Sequence, residues 1–247
     1  MILLTVVSFA LCAFGAQVVR RAPDGVPEFV VKYAPIVYLY LEDLYKPSDI
    51  ATQLANTEPE VDFNVVSDQP LTLDDLAFLN DLGGVNVYLT SKVKPDSKPI
   101  PEYLLGVLPN DEGETEGAVS STIIVNDHGD GTVDAFYFYF YAFDRGAFSI
   151  GNHVGDWEHS MIRFVDQTPS ALWYSQHSSG QAFKYSAVQK YGDGVDNCRV
   201  SEGYESRDGS PTQTDSRTAH CLQRKRVACE LCNHGRPRIW HPQLQLS

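Results

Sequence analysis

Gly151-Asn152-His153-Val154-Gly155-Asp156-Trp157-Glu158-His159 places two carboxylates and two imidazoles within a single short segment. If Asp156 to Glu158 is extended, the two acidic side chains share a face with Cα atoms about 6.5–7 Å apart, so their oxygens can converge on one cation. Trp157 then points to the opposite face, where it is expected to anchor the strand in the core. His153 comes from the glycine-bracketed loop just before, whose backbone freedom lets its imidazole swing toward the same point. Asp144, further upstream, can complete the set from a neighbouring strand. The candidate metal ligands are therefore Asp144, His153, Asp156 and Glu158, with His159 as an additional candidate. An oxygen-rich set with one nitrogen suits Ca²⁺, Mg²⁺ or Mn²⁺ better than structural zinc. The bland alternative is that these groups cap backbone atoms or pair with Arg145 and Arg163. As general acid and base, the two carboxylates could also serve a metal-dependent hydrolase. No sugar-binding pattern or second catalytic cluster accompanies them, so no catalytic residue is assigned, and a binding role is favoured over an enzymatic one.

Other chemistry has less to stand on. The Ser-rich stretch around Ser175 to Ser179 lacks a Gly-x-Ser-x-Gly elbow, which argues against a serine hydrolase. Cys229-x-x-Cys232, with His220, Cys221 and His234, has the residue types of a zinc site. It lacks a proper second knuckle, and in an oxidising lumen disulfides compete for the thiols.

The elements that must position the segment read mainly as strands. Asp134 to Asp144 alternates Phe on one face with Tyr on the other, a period-2 strand with aromatics on both sides and so an interior one. Ser121 to Asn126, Trp157 to Val165 and Ala171 to Ser175 read as further strands, and Gln181 to Val188 as the return of a hairpin turned at Ser178-Ser179-Gly180. Upstream, Phe29 to Leu41 reads as strand. Lys46-Pro47-Ser48-Asp49 opens a helix through Leu54 with Ser48 as its N-cap. Thr72 to Asp75 starts a second short helix that ends at Gly83-Gly84, and Asn86 to Thr90 reads as strand. Few helices and many strands imply a mainly β fold, a β-sandwich or jelly-roll-like body.

Composition bounds the setting. The 247 residues carry a net charge of −13, which disfavours nucleic acid and anionic membranes as nonspecific partners. Ile2 to Phe14 is almost wholly apolar, too short to span a bilayer as a helix, and is followed by small residues, so residues 1–21 read as a signal peptide. That places the chain in the secretory pathway, in a vacuole or outside the cell, with no transmembrane segment expected in the mature chain. Residues 22–193 form the β-rich domain. From about Gly194 the apolar alternation stops and Arg, Ser, Thr, Gln and Cys rise, so residues 194–247 read as a disordered or frame-altered tail with no sheet-completing strand.

Tyr33-Ala34-Pro35-Ile36-Val37, Tyr45-Lys46-Pro47-Ser48-Asp49-Ile50, Gly151 to His159, Trp173-Tyr174-Ser175-Gln176-His177 and Phe183 to Val188 occur in an order that resembles the vacuolar protein sorting-associated protein 62 family of fungi. The resemblance implies a role in targeting protein to the vacuole and brings no reaction, cofactor or catalytic residue with it. A second, local similarity is to necrosis- and ethylene-inducing peptide-like toxins, whose Gly-His-Arg-His-Asp-Trp-Glu motif follows an aromatic strand that ends near an Asp. Asp156, Trp157 and Glu158 match that motif, His153 matches its first His, and Asp144 matches the upstream Asp. Gly155 stands in place of the second His. This similarity implies a divalent cation beside a membrane-glycolipid site on a β-sandwich, and hence membrane lipid or glycan as an alternative partner.

Overall fold

The apolar stretch after Pro27 divides into two elements where one strand was expected. In the computed structural model, α1 (Glu28–Lys32) comes first, opened by Val30 and Val31 N–H groups donating to the Pro27 carbonyl. It buries Val30 and Val31, and Pro35 stops it, because the residue before a proline is pushed out of helical conformation. The chain then extends as β1 (Ile36–Leu39). A short apolar run has no period that separates helix from strand. The structure describes residues 25–39, 43–111, 113–146, 150–176 and 179–190, and the backbone of 199–202 and 239–240. The expected leader, residues 1–21, and all five cysteines lie outside the described residues.

The second helix, α2 (Ile50–Ala55), is capped by Asp49, whose carboxylate accepts from the Thr52 N–H at 2.7 Å. Ser48, the expected cap, is used elsewhere: its Oγ accepts from the Ala142 N–H at 3.0 Å, and its own N–H donates to the Phe140 carbonyl at 2.8 Å. A small antiparallel sheet follows, with β2 (Thr57–Val61) between β3 (Asn64–Val65) and, beyond α3 (Leu79–Leu82), β4 (Tyr88–Ser91). The expected helix from Thr72 is shorter than its sequence suggested and ends at Gly83.

Five strands then run in sequence order through one antiparallel sheet: β5 (Ser121–Asp127), β6 (Thr132–Asp144), β7 (His153–Val165), β8 (Thr168–Gln176) and β9 (Ser179–Lys184). The aromatic strand β6 is interior, as its two-sided pattern implied. Its tyrosines Tyr137 and Tyr139 are buried beside Val133 and Ala135, with Ile162, Phe164, Leu172 and Tyr174 on the same face. Against that face pack α1 and β1, so the main core is the layer between two sheets. β1 is flanked by β10 (Arg199–Glu202), parallel, and β11 (Ile239–Trp240), antiparallel. The text of the tail carried no strand signal, yet these two pieces complete the smaller sheet. Backbone pairing along β1 supplies what local propensity does not.

At the β5–β6 turn Asp134, 5% exposed, holds the hairpin to β7. Its carboxylate accepts two hydrogen bonds from Arg163, each 2.7 Å, and lies 3.0 Å from His128 Nε2. The bond from Arg163 leads the causes that keep its pKa below the ordinary value. A depressed carboxyl pKa contributes stability that is present above the unfolded value and lost as pH falls through the folded one. Melting temperature should therefore fall with acid below the ordinary aspartate range. Asp134→Asn should flatten that limb at a cost of about 1–2 kcal/mol at neutral pH, the half-exposed Arg163 being partly screened.

Candidate metal centre

Beyond Ser120, where β5 runs out, Pro47 and Ser48 take its place beside β6 and set α2 over the end of the strand. On the other side β6 pairs with β7 in unbroken register, Tyr139 opposite Glu158, Phe140 opposite Trp157, Tyr141 opposite Asp156 and Asp144 opposite His153. Regular alternation would put His153 and Asp156 on opposite faces, about 10 Å apart along the strand. Gly155 prevents that. Its φ of +75° turns the chain in a way that side-chain-bearing residues resist, and His153 Nε2 comes to 3.4 Å from Asp156 Oδ1.

Asp144, His153 and Asp156 each offer a donor atom, and the three atoms lie within 4.8 Å of one another. Two ligands on one ion at 2.1–2.4 Å can be no more than about 4.2–4.8 Å apart, so this spread matches a shared ion. The imidazole is oriented for the task. A carbonyl can only accept, so Nδ1–H donates to the Gly151 carbonyl at 2.8 Å and leaves the Nε2 lone pair facing Asp156, while Asp144 Oδ2 lies 3.9 Å from Nδ1. Burial alone would lower the His153 pKa. The bond to Gly151 and the Asp156 and Asp144 carboxylates outweigh it and hold the pKa above its ordinary value. A cation at this site would therefore compete with a proton for Nε2.

The other expected ligands stand apart. Asp156 and Glu158 do share a face, but Glu158 lies further along it, opposite Tyr139, and is not in the converging group found among the described residues. His159 is on the outer face, its ring stacked on Phe138 at 4.6 Å and 19° and 5.4 Å from Trp173. Burial lowers its pKa, which favours a neutral ring. Trp157 is not the core anchor its position suggested. It is 43% exposed on the outer face and leans on Phe140 at 4.8 Å. The inner face is set by the tyrosines of β6 and by Ile162 and Phe164, which leaves odd-numbered β7 residues outside. Arg163 is engaged by Asp134, not by the cluster.

An antiparallel β-sandwich with a histidine–carboxylate cluster at one end of its larger sheet is the class of protein these features define. A family model described as vacuolar protein sorting-associated protein 62 matches residues 141–224, from the end of β6 into the tail. The putative vacuolar protein sorting-associated protein TDA6 of Saccharomyces cerevisiae is 38% identical over 210 residues, covering 78% of this chain and 44% of the relative. Vacuolar protein sorting-associated protein 62 of the same yeast is 33% identical over 186 residues, covering 67% of this chain and 39% of the relative. The chain belongs to the vacuolar protein sorting-associated protein 62 family. It spans less than half the length of these two curated relatives. Among solved structures, "Toxin fold for microbial attack and plant defense" aligns at 14% identity and a TM-score of 0.41, over 74% of this chain and 64% of the other. Necrosis and ethylene inducing protein 2, from the causal agent of cocoa's witches' broom disease, aligns at 10% identity and 0.37, with coverage of 74% and 64%. At these scores the likeness extends to neither ligand nor activity.

Proposed function

We propose that the chain is a divalent-cation-binding module of a protein that serves vacuolar protein sorting, and that it works by binding, not by catalysis. The vacuolar role follows the names of its relatives. The observation that carries the cation reading is the convergence of Asp144, His153 and Asp156 within 4.8 Å, with the histidine tautomer set by Gly151. Two carboxylates and one imidazole favour Ca²⁺, Mg²⁺ or Mn²⁺. An ion that binds only the folded state stabilises it by about 2.7 kcal/mol at a hundredfold excess over its dissociation constant. Added to chelated protein, at least one of the three ions should raise the melting temperature, and Asp156→Asn should abolish the rise. Without metal, at a pH high enough to leave His153 neutral, that variant should be no less stable, because it removes one of two like charges near each other. A wild type indifferent to all three ions would sink the reading.

A second reading, a cation-dependent surface for membrane glycolipid or glycan, has one observation in its favour. The outer face carries a chain of ring contacts, Trp157 edge-on to Phe138, Phe138 stacked on His159 and His159 tilted against Trp173, and aromatic side chains of this kind can meet the apolar face of a sugar. Leakage of sphingolipid-containing vesicles in the presence of the ion would favour this reading. Intact vesicles would leave the sorting role alone. Among the described residues no helix is long and apolar enough to cross a membrane.

A further inference from the structure

Two buried side-chain polar atoms among the described residues have no hydrogen-bond partner, Gln53 Oε1 and Tyr141 OH. Tyr141 packs against the core between the sheets. Gln53 is placed differently. It is 6% exposed, on the helix that Asp49 caps and Ser48 fastens to β6, and its amide nitrogen lies 3.5 Å from where a Cβ on Gly155 would stand. The amide therefore rests against the very residue whose turn brings His153 to Asp156. Buried acceptors are nearly always satisfied, and one that is not points to a water or ion at the site.

The cluster offers three protein donors, whereas Mg²⁺ or Mn²⁺ takes about six ligands and fills the rest with water. A water on a divalent cation is polarised and donates strongly. We propose that Gln53 is a positioning residue of the cation site: its amide oxygen accepts a hydrogen bond from a water on the ion held by Asp144, His153 and Asp156. The inference rests on the cation reading above. It gives the ion a second effect, since the water links α2 to the paired ends of β6 and β7 through a contact absent without metal.

The test uses the full chain and Mn²⁺ alone, by calorimetric titration and by melting with and without the ion. Gln53→Met keeps the length of the side chain and removes the acceptor. It should weaken Mn²⁺ binding about tenfold or more, the usual cost of losing an outer partner. Its melting temperature without metal should match or exceed that of the wild type, since the buried orphan is gone. Gln53→Glu keeps an oxygen in place and should bind Mn²⁺ at least as tightly as the wild type. A wild type that binds while Gln53→Met binds equally well would overturn the role of Gln53 and leave the cation reading intact. Should Gln53→Met fail to fold, Gln53→Glu decides the matter: weaker binding than the wild type overturns the proposal. A wild type that takes up no Mn²⁺ removes the cation reading and the proposal together.

Discussion

Replacing Phe164 with alanine should cost about 3–5 kcal/mol. Phe164 has no exposed surface and lies on the inner face of β7. Its ring meets Phe29 edge-on, with centroids 5.0 Å apart, and Tyr33 at 5.9 Å, so it joins α1 to the five-stranded sheet. Truncation removes the apolar area of the ring and leaves a cavity between two layers that are held apart by their other side chains. For a chain of this size the melting temperature should fall by about 6–20 °C. A loss below about 1 kcal/mol would show that α1 does not pack on the sheet as described.

Gly155→Ala should have one of two outcomes. The methyl group has room, its nearest neighbours being Gln53 Nε2 at 3.5 Å and the Phe140 ring at 3.9 Å, so the cost is conformational. Holding alanine at a φ of +75° costs about 1–2 kcal/mol. The chain can escape by reverting to regular strand, which sends His153 and Asp156 to opposite faces and disperses the donor set. By that route the response to a divalent ion should be lost or greatly reduced, although no ligand has been altered, whereas alanine held in the turn keeps the donor set and shows only the stability loss. A variant that keeps both the wild-type stability and the wild-type ion response would show that the turn at Gly155 is not what assembles the cluster.

These two substitutions mark different depths of legibility. The strands around Phe164 were readable because the alternation in β6 and the apolar run of β7 are local patterns. The partner across the layer was not, since Phe29 and Val31 sit in a run that reads as strand and folds as one turn of helix. At the site, the carboxylate pair, His153 and Asp144 were all visible as residue types at usable spacings. Gln53 carried no signal: a glutamine in a short helix reads as surface, and only docking of α2 against Gly155 buries it.

The sequence by itself determined the mainly β architecture, the interior place of the aromatic strand, and the concentration of acid and imidazole between Asp144 and His159. Each follows from periodicity or from neighbours along the chain. Only the tertiary structure decided which side of that pattern faces inward. A period of two defines a pair of faces without ranking them, and the aromatic strand is apolar on both. The second sheet packs on the tyrosine side, which buries Tyr139, turns Trp157 outward and carries His159 away from the acids. One left-handed glycine then overrides the period at the strand's end, and Asp156, which regular strand geometry would turn away from the paired Asp144 and His153, comes within reach of the same point.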